Sequence, residues 1–160
     1  MLFRSLKKAR RFVDYLAPSG FVLRLKAADR WQLIEEFAQL AAPLAGCAVT
    51  EIAALVRQRE QVMATGIGKG LAVPHARLEG LAEPLVLVGL APLGIDFDAP
   101  DDLPAMLIFF ILTPQDDSGI QLEILADIAG TFKSRPMRES CLQVSSYTEF
   151  LALVRSGQAH

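Results

Sequence analysis

The stretch GIGKGLAVPHAR, Gly66 to Arg77, sets three alternating glycines and a lysine ahead of a proline and one of the two histidines of the chain. Two chemistries compete for such a segment. Its glycine amides could cradle a phosphate that belongs to a bound ligand, or its histidine could itself take a phosphoryl group. The first chemistry has strict patterns. A nucleotide P-loop places a hydroxyl after its lysine to hold magnesium, whereas Lys69 is followed by Gly70. A dinucleotide fingerprint needs a third glycine where this chain has Leu71. Both patterns fail. The second chemistry needs a neutral imidazole, which is a nucleophile near neutral pH because its pKa lies there. Attack at phosphorus uses one unprotonated ring nitrogen, and a carbonyl or carboxylate must hold the proton on the other. The sequence does not name that group. Alternating glycines suit a backbone that bends through positive φ or passes very close to another group. Pro74 keeps Val73 extended, so His75 is delivered on a stiff backbone. Taken alone, one histidine after a proline is more often structural than catalytic, and a longer pattern has to decide.

The elements that must position this segment follow from periodicity. An amphipathic helical pattern at the N-terminus ends at Pro18-Ser19-Gly20, and residues 21–26, FVLRLK, read as a short strand. Asp29 caps a helix with Gln32 at its third position and Ile34, Phe37, Ala38 and Ala41 on one face, stopping near Gly46. Thr50 opens a second helix, with Ile52, Leu55 and Val56 inward, that runs to about Glu60. Pro84 to Leu90 and Ala105 to Leu112 are apolar runs of strand length, as expected of central buried strands. Ser118 and Gln121 form a Ser-x-x-Gln box ahead of Leu122, Leu125, Ala126, Ala129 and Phe132. A short helix follows Pro136, and Ser146 with Glu149 opens a last one. Alternating helices and strands predict a three-layer α/β domain, whose ligands collect at loops beyond the strand ends.

Composition bounds the function. A chain of 160 residues makes one domain with a single real core. No apolar run approaches the roughly 18 residues of a membrane span, and the basic N-terminus lacks the apolar core of a secretory signal. The expectation is a cytoplasmic protein with no stable membrane insertion. Cys47 and Cys141 form no CxxC or Cys/His cluster, which predicts reduced thiols and no metal site. Residues 1–15 carry a net charge of +4 within a chain of net charge −2. With an apolar stripe opposite, that basic run reads as a solvated helix face, and no basic or aromatic pattern continues downstream to suggest nucleic acid.

The longer pattern is REQVMATGIGKGLAVPHAR, Arg59 to Arg77. It resembles the active-site region of the fructose/mannitol-type enzyme IIA proteins of the bacterial phosphotransferase system and their nitrogen-regulatory paralogues, whose pattern runs approximately R-E-x-x-x-S-T-G-I-G-x-G-[IV]-A-I-P-H. Arg59, Glu60, Thr65, Gly66, Ile67, Gly68, Gly70, Ala72, Pro74 and His75 match, and Ala64 stands for the usual serine. GIDFDAPDDLP with LIFFILTP, and QLEILADIAGTF, resemble further segments of the family, so the likeness covers roughly residues 16 to 155. It implies an α/β fold with a mixed central sheet flanked by helices: an enzyme IIA-like domain over residues 16–160, preceded by a basic helical extension over 1–15. It also implies that His75 accepts a phosphoryl group at Nε2 from a histidine phosphocarrier protein, with no cofactor. Arg59 matches the family's active-site arginine, and its fork of donors suits a phosphoryl group. Its competing role is to satisfy the last carbonyls of its helix. Thr65, Gly66, Gly68 and Gly70 form the phosphate loop that the likeness implies.

Gln121 stands where family transporters usually carry a second histidine. Its amide can donate to a phosphoryl oxygen but cannot become a cation. As the third residue of the Ser118 box, it could instead reach back to the helix start. Two readings follow. One is a stand-alone phosphocarrier with a regulatory role toward an unidentified target protein. The other is a non-phosphorylated interaction module of the same fold.

Overall fold

The computed structural model describes residues 10–158. Six strands form one mixed sheet: β1 (Leu16–Val22), β2 (Gly66–Gly68), β3 (Leu71–Ala72), β4 (His75–Leu78), β5 (Leu85–Ile95) and β6 (Ala105–Pro114). The order is β1-β5-β6-β3-β2, and β4 also pairs with β6, beyond β3 along the same edge. The central pair, β5 and β6, is antiparallel, whereas β1 runs parallel to β5, and β3 and β4 run parallel to β6.

Strand alternation explains the three layers. On β6, Ile108, Phe110 and Leu112 join one core cluster, and Leu107, Phe109 and Ile111 join the other. Helices α1 (Arg30–Ala45) and α2 (Val49–Val62) cover the first face. The second is covered by α3 (Ser118–Thr131), α4 (Arg135–Cys141) and α5 (Tyr147–Gln158), with a 3-10 turn over Phe12–Tyr15. A sheet buried on both faces requires central strands that are apolar at every position. Each fully buried Leu, Ile or Phe there contributes about 1.5–3 kcal/mol of transfer free energy.

Helix α1 begins and ends as its sequence dictates. The Asp29 carboxylate accepts from the Gln32 amide at 2.8 Å, and Gly46 closes it in the left-handed region at φ 66°. Elsewhere the structure corrects the sequence reading. The first strand is Leu16–Val22 and contains Pro18-Ser19-Gly20; an edge strand with a shifted register tolerates a proline, which a central strand would not. Helix α2 starts at Val49 after an Ala48 cap, two residues before the expected Thr50 cap. The cap of α3 is Asp117, whose carboxylate accepts from the Ile120 amide at 3.1 Å. Ser118 is therefore the first helical residue, and Gln121 lies one position beyond the reach of a capping box. The buried face of α3 is Ile120, Ile124, Ile128 and Phe132, while Leu122 is 67% exposed. Two apolar stripes compete on that helix, and the β-branched one faces the sheet.

The described end of the basic run, residues 10–15, is packed against the domain and not a solvated helix face. Residues 1–9 lie outside the described residues. Arg10 bonds the Asp117 carboxylate at 2.7 Å and that of Glu123 at 2.5 Å, and Arg11 pairs with Asp127 at 3.0 Å. The Phe12 amide donates to Asp127 at 2.8 Å, and its fully buried ring packs against Phe109 and Phe132. The opposite charges of Asp117, Glu123 and Asp127 draw this segment onto α3, which an amphipathic reading of residues 1–15 alone could not show.

Candidate functional site

The glycine segment is a tight hairpin of β2 and β3, with Lys69 at its tip. Lys69, Gly68 and Gly70 have φ of 59°, 91° and 79°, so two of the three glycines serve the bend. Gly66 serves close approach: a Cβ there would lie 2.8 Å from the Phe97 side chain and 2.9 Å from its carbonyl. The Asp101 carboxylate accepts from the Lys69 amide at 2.8 Å and the Leu103 amide at 3.1 Å. Those amides, Lys69 foremost, hold the carboxyl below its usual range. The hairpin is thus moulded onto the segment after β5.

A buried polar cluster ties the same hairpin to α2. Glu60, 2% exposed, accepts from the Thr65 amide at 2.9 Å and from the Thr65 hydroxyl at 2.5 Å. Arg30, reaching over from α1, pairs with the same carboxylate at 3.3 Å. The Val73 amide in turn donates to the Thr65 carbonyl at 3.0 Å. Every link fixes where the chain enters β4.

Strands β3 and β4 pair with β6 on either side of a break at Val73-Pro74. Because of that break, the Val73 carbonyl lies 2.7 Å from His75 Nδ1. A carbonyl can only accept, so Nδ1 carries the proton and Nε2 keeps its lone pair. The residue is 3% exposed, and Nε2 is buried with no hydrogen-bond partner among the described residues. Burial pushes the imidazole pKa below its ordinary value. The charges of Arg59 and Arg77 act in the same direction, against the pull of the Val73 bond. This is a ring held neutral with one nucleophilic nitrogen.

The ring borders a cavity of about 320 Å³ at the sheet edge. From α2 come Leu55, Gln58, Arg59 and Val62; from β4 come His75, Ala76 and Arg77; from α3 comes Gln121. One nitrogen of Arg59 donates to the Met63 carbonyl at 3.0 Å, which caps α2 and anchors the guanidinium beside the cavity. Arg59 therefore fills the helix-end role and the cavity wall together. The Gln121 side chain makes no hydrogen bond among the described residues, and Asp117 has relieved it of any capping duty. The structure brings His75, Arg59 and Gln121 to one cavity. Thr65, Gly66, Gly68 and Gly70 stand outside its wall, with the Thr65 hydroxyl engaged by Glu60.

Sequence reasoning gave no role to Val73, Glu60, Arg30 or Arg77. The strand alternation of His75-Ala76-Arg77 is the signal that could have found Arg77, since residues two apart share a face. The Val73 contact leaves no such signal, because any residue supplies a carbonyl. Among the described residues no cluster of His, Cys, Asp or Glu could hold a metal ion, and no helix is long and apolar enough to cross a membrane.

The charge state of His75 has a measurable consequence. With its folded pKa below the unfolded value of about 6.5, the unfolded chain binds the extra proton first. Stability is then complete above about pH 6.5 and declines as pH falls through that value toward the folded pKa. An NMR titration of the His75 ring is expected to show a midpoint below about 6.5. A midpoint above that would mean the ring is not held neutral.

The family model for the phosphoenolpyruvate-dependent sugar phosphotransferase system, EIIA 2, matches residues 15–157, and the chain belongs to that family. Within it, the nitrogen regulatory protein of Bradyrhizobium diazoefficiens is 33% identical over 116 residues, covering 72% of this chain and 76% of that protein. The fructose-specific EIIA component of Haloferax volcanii is 37% identical over 89 residues, and the match spans 56% of this chain and 58% of that protein. Among solved structures, nitrogen regulatory protein IIA-Ntr from Neisseria meningitidis superposes with a TM-score of 0.84 at 32% identity, covering 89% of this chain and 97% of that one. IIA mannitol from Escherichia coli shares the fold, with a TM-score of 0.73 at 21% identity over 86% of this chain and 97% of that one.

Proposed function

We propose that this chain is an enzyme IIA-type phosphocarrier that accepts a phosphoryl group on His75 Nε2 from a histidine phosphocarrier protein, in a regulatory role. The observation that carries the reading is the Val73 carbonyl on Nδ1, which leaves Nε2 as the only nucleophilic nitrogen of a neutral ring. The regulatory part rests on the nitrogen regulatory relatives. Exposed Val62 on the cavity wall, with exposed Met63 and Leu122 next in sequence to the lining residues Val62 and Gln121, gives the site an apolar rim that suits a protein donor. The target that reads the phosphorylated state is a protein of unassigned identity.

In the transfer, the donor's P–N bond breaks as the bond from Nε2 to phosphorus forms. Nδ1 keeps its proton on Val73 throughout, and a donor ring protonated on its second nitrogen leaves as neutral imidazole. No proton crosses between the proteins. What remains is positioning and charge: the Arg59 fork and the Gln121 amide face the migrating phosphoryl oxygens.

The test is incubation with phosphoenolpyruvate, enzyme I and the carrier, followed by intact mass and mapping of acid-labile phosphate. One phosphate on His75 is the expected result. No gain from several demonstrably charged carriers would overturn the reading in favour of an interaction module that kept the fold. Gln121→His is expected to speed single-turnover transfer severalfold, because the amide holds no cap and makes no other bond that the change would break. An unchanged rate would show that position 121 lies outside the transfer path.

A further inference from the structure

The cavity contains an uncharged amide on α3 and one arginine on α2 that is partly committed to a helix end. A phosphoryl group arriving there carries about two negative charges. The structure holds one more cation on the wall. Arg77 leaves β4 two residues after His75, so the pleat sends both side chains to the same face of the strand.

The arginines of the described residues divide by what holds them. Arg10, Arg11, Arg30, Arg57 and Arg135 are ion-paired, and Arg138 donates to the Phe132 and Lys133 carbonyls that end α3. Arg24, Arg77 and Arg155 make no ion pair and no side-chain hydrogen bond among the described residues, and of these three Arg77 alone lines the His75 cavity. Arg77, whose guanidinium carries five N–H donors, lines two cavities together with Leu55. One is the His75 cavity. The other, of about 420 Å³, has Glu51, Glu79 and Gln115 in its wall. Neither acid pairs with Arg77 at contact distance. The cation is therefore near the nucleophile, charged, and uncommitted.

Resting on the phosphocarrier reading, we infer that Arg77 is a second phosphoryl-binding cation of the site, supplying from β4 the charge that Gln121 cannot supply from α3. Its donors engage the phosphoryl oxygens as the bond to Nε2 forms, and they remain on the phosphohistidine afterwards. Because it contacts the migrating group and not only the carrier, its removal acts on the rate of the bound complex.

The experiment measures single-turnover transfer from the phosphorylated carrier over a range of carrier concentrations, for wild type, Arg77→Gln and Arg77→Lys. Arg77→Gln is expected to lower the saturating rate about tenfold or more, and Arg77→Lys to restore part of it, since charge returns without the fork. A rise in the half-saturating carrier concentration with an unchanged saturating rate would make Arg77 a docking residue and overturn the inference. A second readout does not depend on the carrier: inorganic phosphate is titrated into unphosphorylated protein and followed by the His75 ring signals. Arg77→Gln is expected to weaken that response severalfold. If wild type takes no phosphoryl group yet shows this Arg77-dependent response, the anion site stands and the carrier reading fails. Equal rates and equal phosphate responses in wild type and Arg77→Gln would overturn the inference while leaving the carrier reading intact.

Discussion

Replacing His75 with alanine is expected to abolish the acid-labile phosphate that the protein gains from the charged carrier, with no residual labelling above background. The effect should be complete because no second acceptor stands nearby among the described residues. The chain's other histidine is His160, and the rest of the cavity wall offers amides, guanidiniums and aliphatic groups. The two cysteines supply no substitute: Cys141 is buried, with its thiol pKa pushed up to about 12 by burial, and Cys47 is also raised. The same variant has a signature in stability. It removes a ring that resists protonation in the fold, so its unfolding free energy should fall less between pH 7 and pH 5 than that of wild type. Urea unfolding at the two pH values measures this directly. Labelling of His75→Ala at the wild-type level would sink the assignment of the acceptor.

Glu60→Ala is expected to destabilise the domain by about 3 kcal/mol, the largest stability effect of any single polar substitution near the site. The carboxylate is 2% exposed and serves the Thr65 amide, the Thr65 hydroxyl and Arg30. Alanine leaves a buried N–H and a buried O–H without partners, and each such orphan costs about 1–3 kcal/mol. It also leaves Arg30, whose side chain is 22% exposed, without its counter-ion. Part of that loss is recovered because Arg30 can turn toward water. Glu60→Gln should cost less, since its carbonyl still accepts from Thr65. Urea denaturation midpoints for the pair make the comparison, and a loss under about 1 kcal/mol for Glu60→Ala would show that the cluster relaxes freely. Transfer should slow in the same variant, because Thr65 sets the position of Val73 and so of the ring.

How much of this was legible in the sequence depends on the range of the interaction. The cap at Asp29, the stop at Gly46 and the two apolar runs of β5 and β6 are local signals, and the structure has each in place. The glycine motif was legible as a bend and a close approach, though not that Phe97 is what Gly66 approaches. The readings that failed compared two local options of similar strength. Ser118 and Asp117 are adjacent cap formers, and Asp117 also gains Arg10, more than a hundred residues away in sequence. On α3, either of two apolar stripes could face the core, and only the sheet beneath selects Ile120, Ile124 and Ile128. Pro18 suggested the end of an element because a proline excludes a central strand. It does not exclude an edge strand, and whether a strand lies at an edge is a property of the whole sheet. Of the site, His75, Arg59 and Gln121 were legible through resemblance, and their common cavity was not.

The interruption between β3 and β4 bears on how this site can vary. In an unbroken parallel strand the Val73 carbonyl would be drawn into the ladder with β6; here the ladder resumes at Pro74, whose carbonyl accepts from the Ile111 amide at 3.0 Å. The group that selects the reactive nitrogen is therefore main chain. No side-chain exchange at position 73 deletes it, so the tautomer is inherited with the fold itself. Descendants of such a chain can exchange the surrounding charges and amides, as at position 121, and retune speed or partner without relearning which nitrogen attacks.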